Sequence, residues 1–369
     1  MVKHNTQTSL LNCIDLSNHD INQSVNLLKQ ACLDSGFFYV VNHGISQEFM
    51  DEVFAQSKKF FSLPQKEKMK LLRNEKHRGY TPVLDELLDP ENQVHGDYKE
   101  GYYIGVEVAE DDPESQKPFY GPNRWPASDI GEEKSNFYKF RYSAWVEGCY
   151  GKVPSPGFEK GLTYLCCCIG ESREVGKAVG RIIALALDLD ADFFDGPEML
   201  GEAIATLRLL HYEGIESLFL SLFDEGQTSD PSKGLYGAGA HTDYGLITLL
   251  ATDNVSGLQI CKDRDAKPQI WEDVAPLKGA FIVNIGDMLE RWSNCVFKST
   301  LHRVLGKGQE RYSIAYFIEP SHDCLVECLP TCKSDSNPPK FPPIVCGDYL
   351  SRRYNDTHAD LNVYKKQQV

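Results

Sequence analysis

The chain lacks any apolar run that approaches the roughly 20 consecutive residues needed to cross a bilayer. It also lacks a basic excess: 38 Lys and Arg stand against 53 Asp and Glu, for a formal net charge of −15. A broad surface for phosphate backbones needs the opposite sign, so nucleic acid is not an expected partner. No apolar leader opens the chain at Met1-Val2-Lys3-His4-Asn5-Thr6. Its end, Lys365-Lys366-Gln367-Gln368-Val369, carries neither a prenylation box nor a peroxisomal tripeptide. The expectation is a cytoplasmic protein, with nuclear access left open and no membrane attachment. Twelve cysteines in a long chain without an export signal are expected to be reduced thiols. Cys324, Cys328 and Cys332 do not have the paired short spacings of a zinc site, and no histidine cluster completes them. They are expected to be structural or incidental.

What is present is an ordinary globular composition, 41% hydrophobic and 25% charged, on a chain of 369 residues. Ile21, Val25, Leu28 and Cys32 recur at helical spacing behind a possible cap, Asp20. The burst Phe37-Phe38-Tyr39-Val40-Val41 reads as a buried strand, and a second helix is expected from Met50 to Phe61. Residues 107 to 117 read as an acidic loop. Val175, Val179, Ile182, Ile183 and Ala186 share one helical face. From about Ala203 the texture changes to short strands: Ala205 to Tyr212, Leu246 to Thr252, Leu258 to Ile260, Ala280 to Ile285 and Arg311 to Ile318. That succession suggests an antiparallel sandwich or barrel. Between Phe137 and Ser172, glycines, prolines and Cys166-Cys167-Cys168 break both periods, and an atypical insert is expected at about 150–172.

His241-Thr242-Asp243 places an imidazole and a carboxylate two positions apart, on one side of an extended segment. Alone it is a weak signal, because most histidines are simply hydrogen-bonded or exposed. His302 offers a second imidazole after intervening strands have returned the chain. Two histidines and one carboxylate leave three open positions on a metal, the pattern of non-haem Fe(II) oxygenases. Nine residues later, Arg311 and Ser313 would face one side of a strand, with Tyr312 and Ile314 on the other. A buried guanidinium needs an anionic partner, which is either a ligand carboxylate or an internal salt bridge.

The order His-x-Asp, distant His, Arg-x-Ser resembles the 2-oxoglutarate and Fe(II)-dependent dioxygenases of the plant type, related to isopenicillin N synthase. Ile14-Asp15-Leu16, Gly36 to Ile45, Phe60 to Pro64 and Arg78-Gly79-Tyr80 carry the likeness in the first half. Leu207 to Tyr212, His241 to Leu250 and Asn284-Ile285-Gly286-Asp287 carry it in the second. The resemblance implies an α+β, mainly β fold, a double-stranded β-helix (jelly-roll) core flanked by helices. It implies Fe(II) on His241, Asp243 and His302. It also implies 2-oxoglutarate on Arg311 and Ser313, with Tyr212 at its metal-proximal end. Leu210 stands where many relatives have asparagine. O2 is the co-reactant and ascorbate a candidate reductant. The implied reaction couples decarboxylation of 2-oxoglutarate, to succinate and CO2, to hydroxylation, demethylation or desaturation of a small molecule.

Tyr102, Tyr103 and Phe317 are expected in the substrate pocket. His43 is expected to be structural, and His211 to point away from the site. The expected division is an N-terminal region over 1–125, a helical connection over 126–200 with the insert, a core over 201–325 and a C-terminal segment over 326–369. A monomer is expected. A same-fold oxidase that does not use 2-oxoglutarate, or a binding variant impaired by the insert, are the alternatives.

Overall fold

The computed structural model describes residues 11–126, 158–214 and 229–358. Its frame is a sheet of eight strands: β1 (Cys13–Asp15), β2 (Phe37–Val41), β3 (Gly79–Thr81), β4 (Glu100–Gly105), β5 (Ile204–Tyr212), β7 (Ile247–Thr252), β10 (Phe281–Ile285) and β12 (Arg311–Glu319). They lie in the order β1-β2-β10-β7-β12-β5-β4-β3. Four strands make the facing sheet, in the order β6 (Ala238–His241), β11 (His302–Val304), β8 (Leu258–Asp263) and β9 (Ile270–Asp273). The two layers form the double-stranded β-helix, and the candidate site lies between them.

Strand β12 shows why one face becomes a core and the other a site. Side chains alternate along a strand, so Tyr312, Ile314, Tyr316 and Ile318 enter the main apolar cluster. Arg311, Ser313, Ala315, Phe317 and Glu319 line the cleft on the opposite face. Register is held on both edges, with Arg311 opposite Tyr212 on β5 and Ala315 opposite Leu250 on β7. A one-residue slip would exchange the two faces completely.

Helices cover the back of the large sheet. Helix α1 (Ile21–Asp34) begins at Asp20, whose carboxylate accepts from the backbone N–H groups of Asn22 and Gln23. Leu28, Ala31 and Cys32 are buried, whereas Ile21, counted with that face in the sequence, is 46% exposed. It sits in the first turn, beyond the edge of the packed surface. Helix α2 (Gln47–Phe61) buries Met50, Val53, Phe60 and Phe61 and is followed by the short α3 (Gln65–Met69).

The long helix α4 (Phe158–Ala186) corrects the expected insert. The backbone is helical from Phe158, so the expected irregularity does not extend through 172. Residues 150–157 lie outside the described residues. Gly161 and Gly170 each cost a helix about 1 kcal/mol relative to alanine. Burial of Ile169, Val175, Val179 and Ile183 outweighs this, since each such side chain contributes roughly 1.5–3 kcal/mol. Gly176 also has a packing role: a Cβ there would lie 2.1 Å from Ile318 Cδ1, so glycine lets the helix approach β12 closely. Past β10, the chain turns through α5 (Asp287–Trp292), and the described residues end with α6 (Cys346–Thr357) and His358. No described helix is long and apolar enough to cross a membrane.

Candidate metal and cosubstrate site

Strands β6 and β11 are neighbours, and His302 is directly opposite His241 in their register. The imidazoles lie with ring centroids 4.3 Å apart. Asp243 follows β6 by two residues and places Oδ1 at 3.7 Å from His241 Nε2 and 3.6 Å from His302 Nε2. The three ligand-capable atoms lie within 4.8 Å of one another. Among the described residues no other group of His, Cys, Asp or Glu side chains converges in this way.

The surrounding hydrogen bonds aim these atoms. His241 Nδ1 is 2.8 Å from the Gly239 carbonyl, and His302 Nδ1 is 3.0 Å from the Thr300 carbonyl. A carbonyl only accepts, so each Nδ1 carries the proton and each Nε2 presents a lone pair to the centre. Asp243 Oδ2 accepts from Thr248 Oγ1 at 2.6 Å and Asn284 Nδ2 at 2.7 Å, which turns Oδ1 inward. Gly286 lets the supporting chain come close: a Cβ there would sit 2.4 Å from the Gly245 carbonyl oxygen.

Burial, followed by the neighbouring His302, pushes His241 down to about 3. For Asp243 burial acts upward, but His302, His241 and the two hydrogen bonds outweigh it and hold the carboxyl below its usual range. A neutral imidazole and an ionised carboxylate are the forms that bind a metal, with no proton to displace. The donor set therefore fits a divalent metal of the kind held by two imidazoles and one carboxylate.

Arg311 is buried in the same cleft. Its Nη1 donates to Ser313 Oγ at 3.2 Å and its Nε to the Val255 carbonyl at 3.3 Å. The guanidinium lies 4.9 Å from the centre of the Tyr212 ring. No described carboxylate pairs with Arg311, so the internal salt bridge weighed as an alternative is not formed among the described residues. A buried guanidinium beside a hydroxyl has the donors to pair with a carboxylate.

The cleft brings together His241, Asp243, His302, Tyr212, Arg311, Ser313, Tyr103 and Phe317. Tyr102 does not join them. Alternation along β4 sends Tyr103 into the cleft and Tyr102 to the opposite face, against Phe60, where its hydroxyl donates to the Arg124 carbonyl. His211 also faces away from the cleft and sits between Glu100 and Glu310. His43 holds the Gly279 carbonyl at 3.1 Å. Cys324, Cys328 and Cys332 are buried free thiols.

A buried charge network forms one wall of the cleft and was not anticipated from the sequence. Glu86 takes Arg208, Lys99 at 2.8 Å, His358 at 2.9 Å and the Tyr103 hydroxyl at 3.1 Å. Burial would raise the Glu86 carboxyl, but Arg208 and Lys99 outweigh it and hold it well below the usual carboxylate range. Lys99 also pairs with Asp97, which accepts the Gly239 N–H at 2.8 Å. The network thus reaches the residue whose carbonyl orients His241. Thr248, Asn284 and Glu319 were missed as well. The available signal was a polar residue at a cleft-facing position of an otherwise apolar strand.

Two family models match: "non-haem dioxygenase in morphine synthesis N-terminal" over residues 11–128 and "2OG-Fe(II) oxygenase superfamily" over residues 210–320. The kihadalactone A synthase of Citrus sinensis is 48% identical, over 95% of this chain and 93% of its own. The azadirone synthase of Melia azedarach is 45% identical over the same shares. Among solved structures, a full-length Neurospora crassa protein in complex with alpha-KG and 5-formyluracil superposes with a TM-score of 0.69 at 28% identity, covering 95% of this chain and 97% of that one.

Proposed function

The chain belongs to the 2OG-Fe(II) oxygenase superfamily, and we propose that His241, Asp243 and His302 hold its Fe(II) while Arg311 and Ser313 seat its 2-oxoglutarate. It is a 2-oxoglutarate- and Fe(II)-dependent dioxygenase that oxidises a small organic molecule with release of succinate and CO2. The observation that carries the site assignment is the clamping of the triad. Both Nδ1 atoms and Asp243 Oδ2 are committed to the surrounding fold, so two Nε2 atoms and Oδ1 remain for one ion.

When bound, the metal supplies the redox chemistry and the open positions for the cosubstrate and O2. The chain supplies orientation. The Arg311 guanidinium pairs with the distal carboxylate of 2-oxoglutarate, and the Ser313 hydroxyl adds a hydrogen bond to it. Tyr212, opposite Arg311 on β5, contacts the metal-proximal end. The apolar wall that includes Phe317, Leu250 and Leu258 keeps bulk water from the reacting centre. Tyr103 and Phe317 face the substrate. Ascorbate serves as reductant in this reading. The reaction yields a compound related to kihadalactone A or azadirone, a reading supported by the identity to their synthases. A cytoplasmic monomer without nucleic-acid partners completes the reading and accords with the charge of −15.

Anaerobic titration with Fe(II) and then 2-oxoglutarate tests the assignment, followed by succinate release under O2. His241→Ala and Asp243→Ala are expected to abolish turnover and weaken Fe(II) binding. Retention of full activity by either variant refutes the triad.

A further inference from the structure

Under the proposed function, one carboxyl of the cleft has neither an ion pair among the described residues nor the metal to face. The Glu86 network is paired within itself, the triad faces the metal, and Arg311 faces the cosubstrate. Glu319 remains. It is only 4% exposed, lines the cleft, and buries Oε2 with no hydrogen-bond partner among the described residues. No described cation forms an ion pair with it. Arg78, whose charge reaches it, is committed to the carbonyls of Phe119 and Lys76. The carboxyl has a hydrogen bond from its own backbone N–H, but a buried oxygen left unsatisfied costs about 1–3 kcal/mol, so its retention calls for a ligand that satisfies it.

Its place on β12 indicates what that ligand is. Glu319 shares a face with Ser313 but lies six residues further along, about 20 Å at the rise of a strand. Ala315 and Phe317 lie between them on that face. Gly245, two residues after Asp243, is close enough that its Cβ would lie 2.8 Å from Glu319 Cγ. The carboxyl therefore stands beyond the metal position, at the end of the cleft opposite the cosubstrate seat. The wall between is aromatic and aliphatic, with no unpaired charge.

We propose that Glu319 is a substrate-binding residue, and that the substrate is a neutral, largely apolar molecule whose hydroxyl group donates a hydrogen bond to it. This deepens the proposed function and rests on its assignment of the metal and cosubstrate ends. The hydroxyl anchors the molecule on the far side of the metal position, so the carbon to be oxidised lies between the anchor and 2-oxoglutarate.

The test compares full-length wild type, E319Q and E319L, each loaded anaerobically with Fe(II) and 2-oxoglutarate. Three rigid probes are followed by equilibrium dialysis at about pH 7.5: adamantan-1-ol, 1-methoxyadamantane and 1-aminoadamantane. Wild type is expected to bind the alcohol about tenfold more tightly than the ether, the contribution of one buried hydrogen bond. E319L is expected to lose that preference and E319Q to keep part of it. Melting temperature gives a second readout: E319L should melt no lower than wild type, because it removes a buried oxygen that has no hydrogen-bond partner among the described residues. Equal binding of alcohol and ether by wild type, or binding of neither, overturns the proposal. A preference for the amine overturns the neutral class. A lower melting point in E319L together with loss of Fe(II) binding makes Glu319 structural and overturns it too. Failure of wild type to bind Fe(II) and 2-oxoglutarate would instead refute the proposed function, and is seen before any probe is added.

Discussion

Replacing Asn284 by leucine perturbs the proposed metal site without touching a ligand. Asp243 Oδ2 accepts two hydrogen bonds, from Thr248 at 2.6 Å and Asn284 at 2.7 Å. Leucine keeps the volume of a side chain that is only 3% exposed but removes the amide donor. The carboxylate then keeps one tether and is free to turn about it, so Oδ1 is no longer fixed toward the two Nε2 atoms. Loss of such an outer partner typically weakens metal binding about 10–100-fold, or roughly 1.4–2.7 kcal/mol. In the Thr248→Val/Asn284→Leu double variant both tethers are gone, and the loss is expected to exceed either single effect. The assay is anaerobic Fe(II) titration of the apoprotein against a chelator, followed by succinate release at saturating Fe(II). Affinity should fall while part of the turnover returns as iron is raised. An unchanged Fe(II) affinity in the folded double variant would show that the clamp does not orient the ligand.

Three further perturbations separate the parts of the cleft. Arg311→Lys keeps the charge but loses the planar fork, so the KM for 2-oxoglutarate should rise at least about tenfold with Fe(II) affinity unchanged; an unaltered KM contradicts the seat. Glu86→Ala leaves Arg208 buried beside one missing partner and should cost about 3–5 kcal/mol in urea unfolding, whereas Glu86→Leu/Arg208→Met should cost much less than the sum of its single changes. Strict additivity would show that the pair does not act as a unit. Burial, then the charges of His358, Arg73 and Arg78, holds His77 down to about 2. A histidine depressed below its unfolded value near 6.5 contributes stability above that pH and loses it as pH falls toward 2, by about 1.4 kcal/mol per unit. His77→Asn suits the left-handed backbone at φ 53 and should flatten the fall in stability between about pH 6.5 and 5.5. Parallel profiles for the two proteins would exclude His77 as its source.

Much of this protein was determined locally. The alternation in Arg311 to Ile318 set which side chains would enter the core and which the cleft, because a strand has no other way to dispose of them. The face formed by Val175, Val179 and Ile183 required a helix for the same reason. The i, i+2 spacing of His241 and Asp243, with His302 and Arg-x-Ser following in order, marked the candidate site before any pairing was known.

Other features depend on register and on contacts between distant segments. Strands β6 and β11, of four and three residues, are too short to show a period, yet their pairing sets His302 opposite His241. Tyr102 and Tyr103 are equivalent in composition, and only the direction of β4 decides which one reaches the cleft. The helix from Phe158 onward forms despite its glycines because a packed sheet lies behind it, an energy that no local window contains. Glu86, Lys99, Arg208 and His358 are scattered over 273 positions (358 minus 86, inclusive), so their mutual neutralisation arises only on folding. Glu319 differs in the opposite sense. In sequence it is one more acidic residue at the end of a strand. It becomes informative because folding commits the charges around it elsewhere and leaves a buried oxygen of its carboxyl without a hydrogen-bond partner among the described residues.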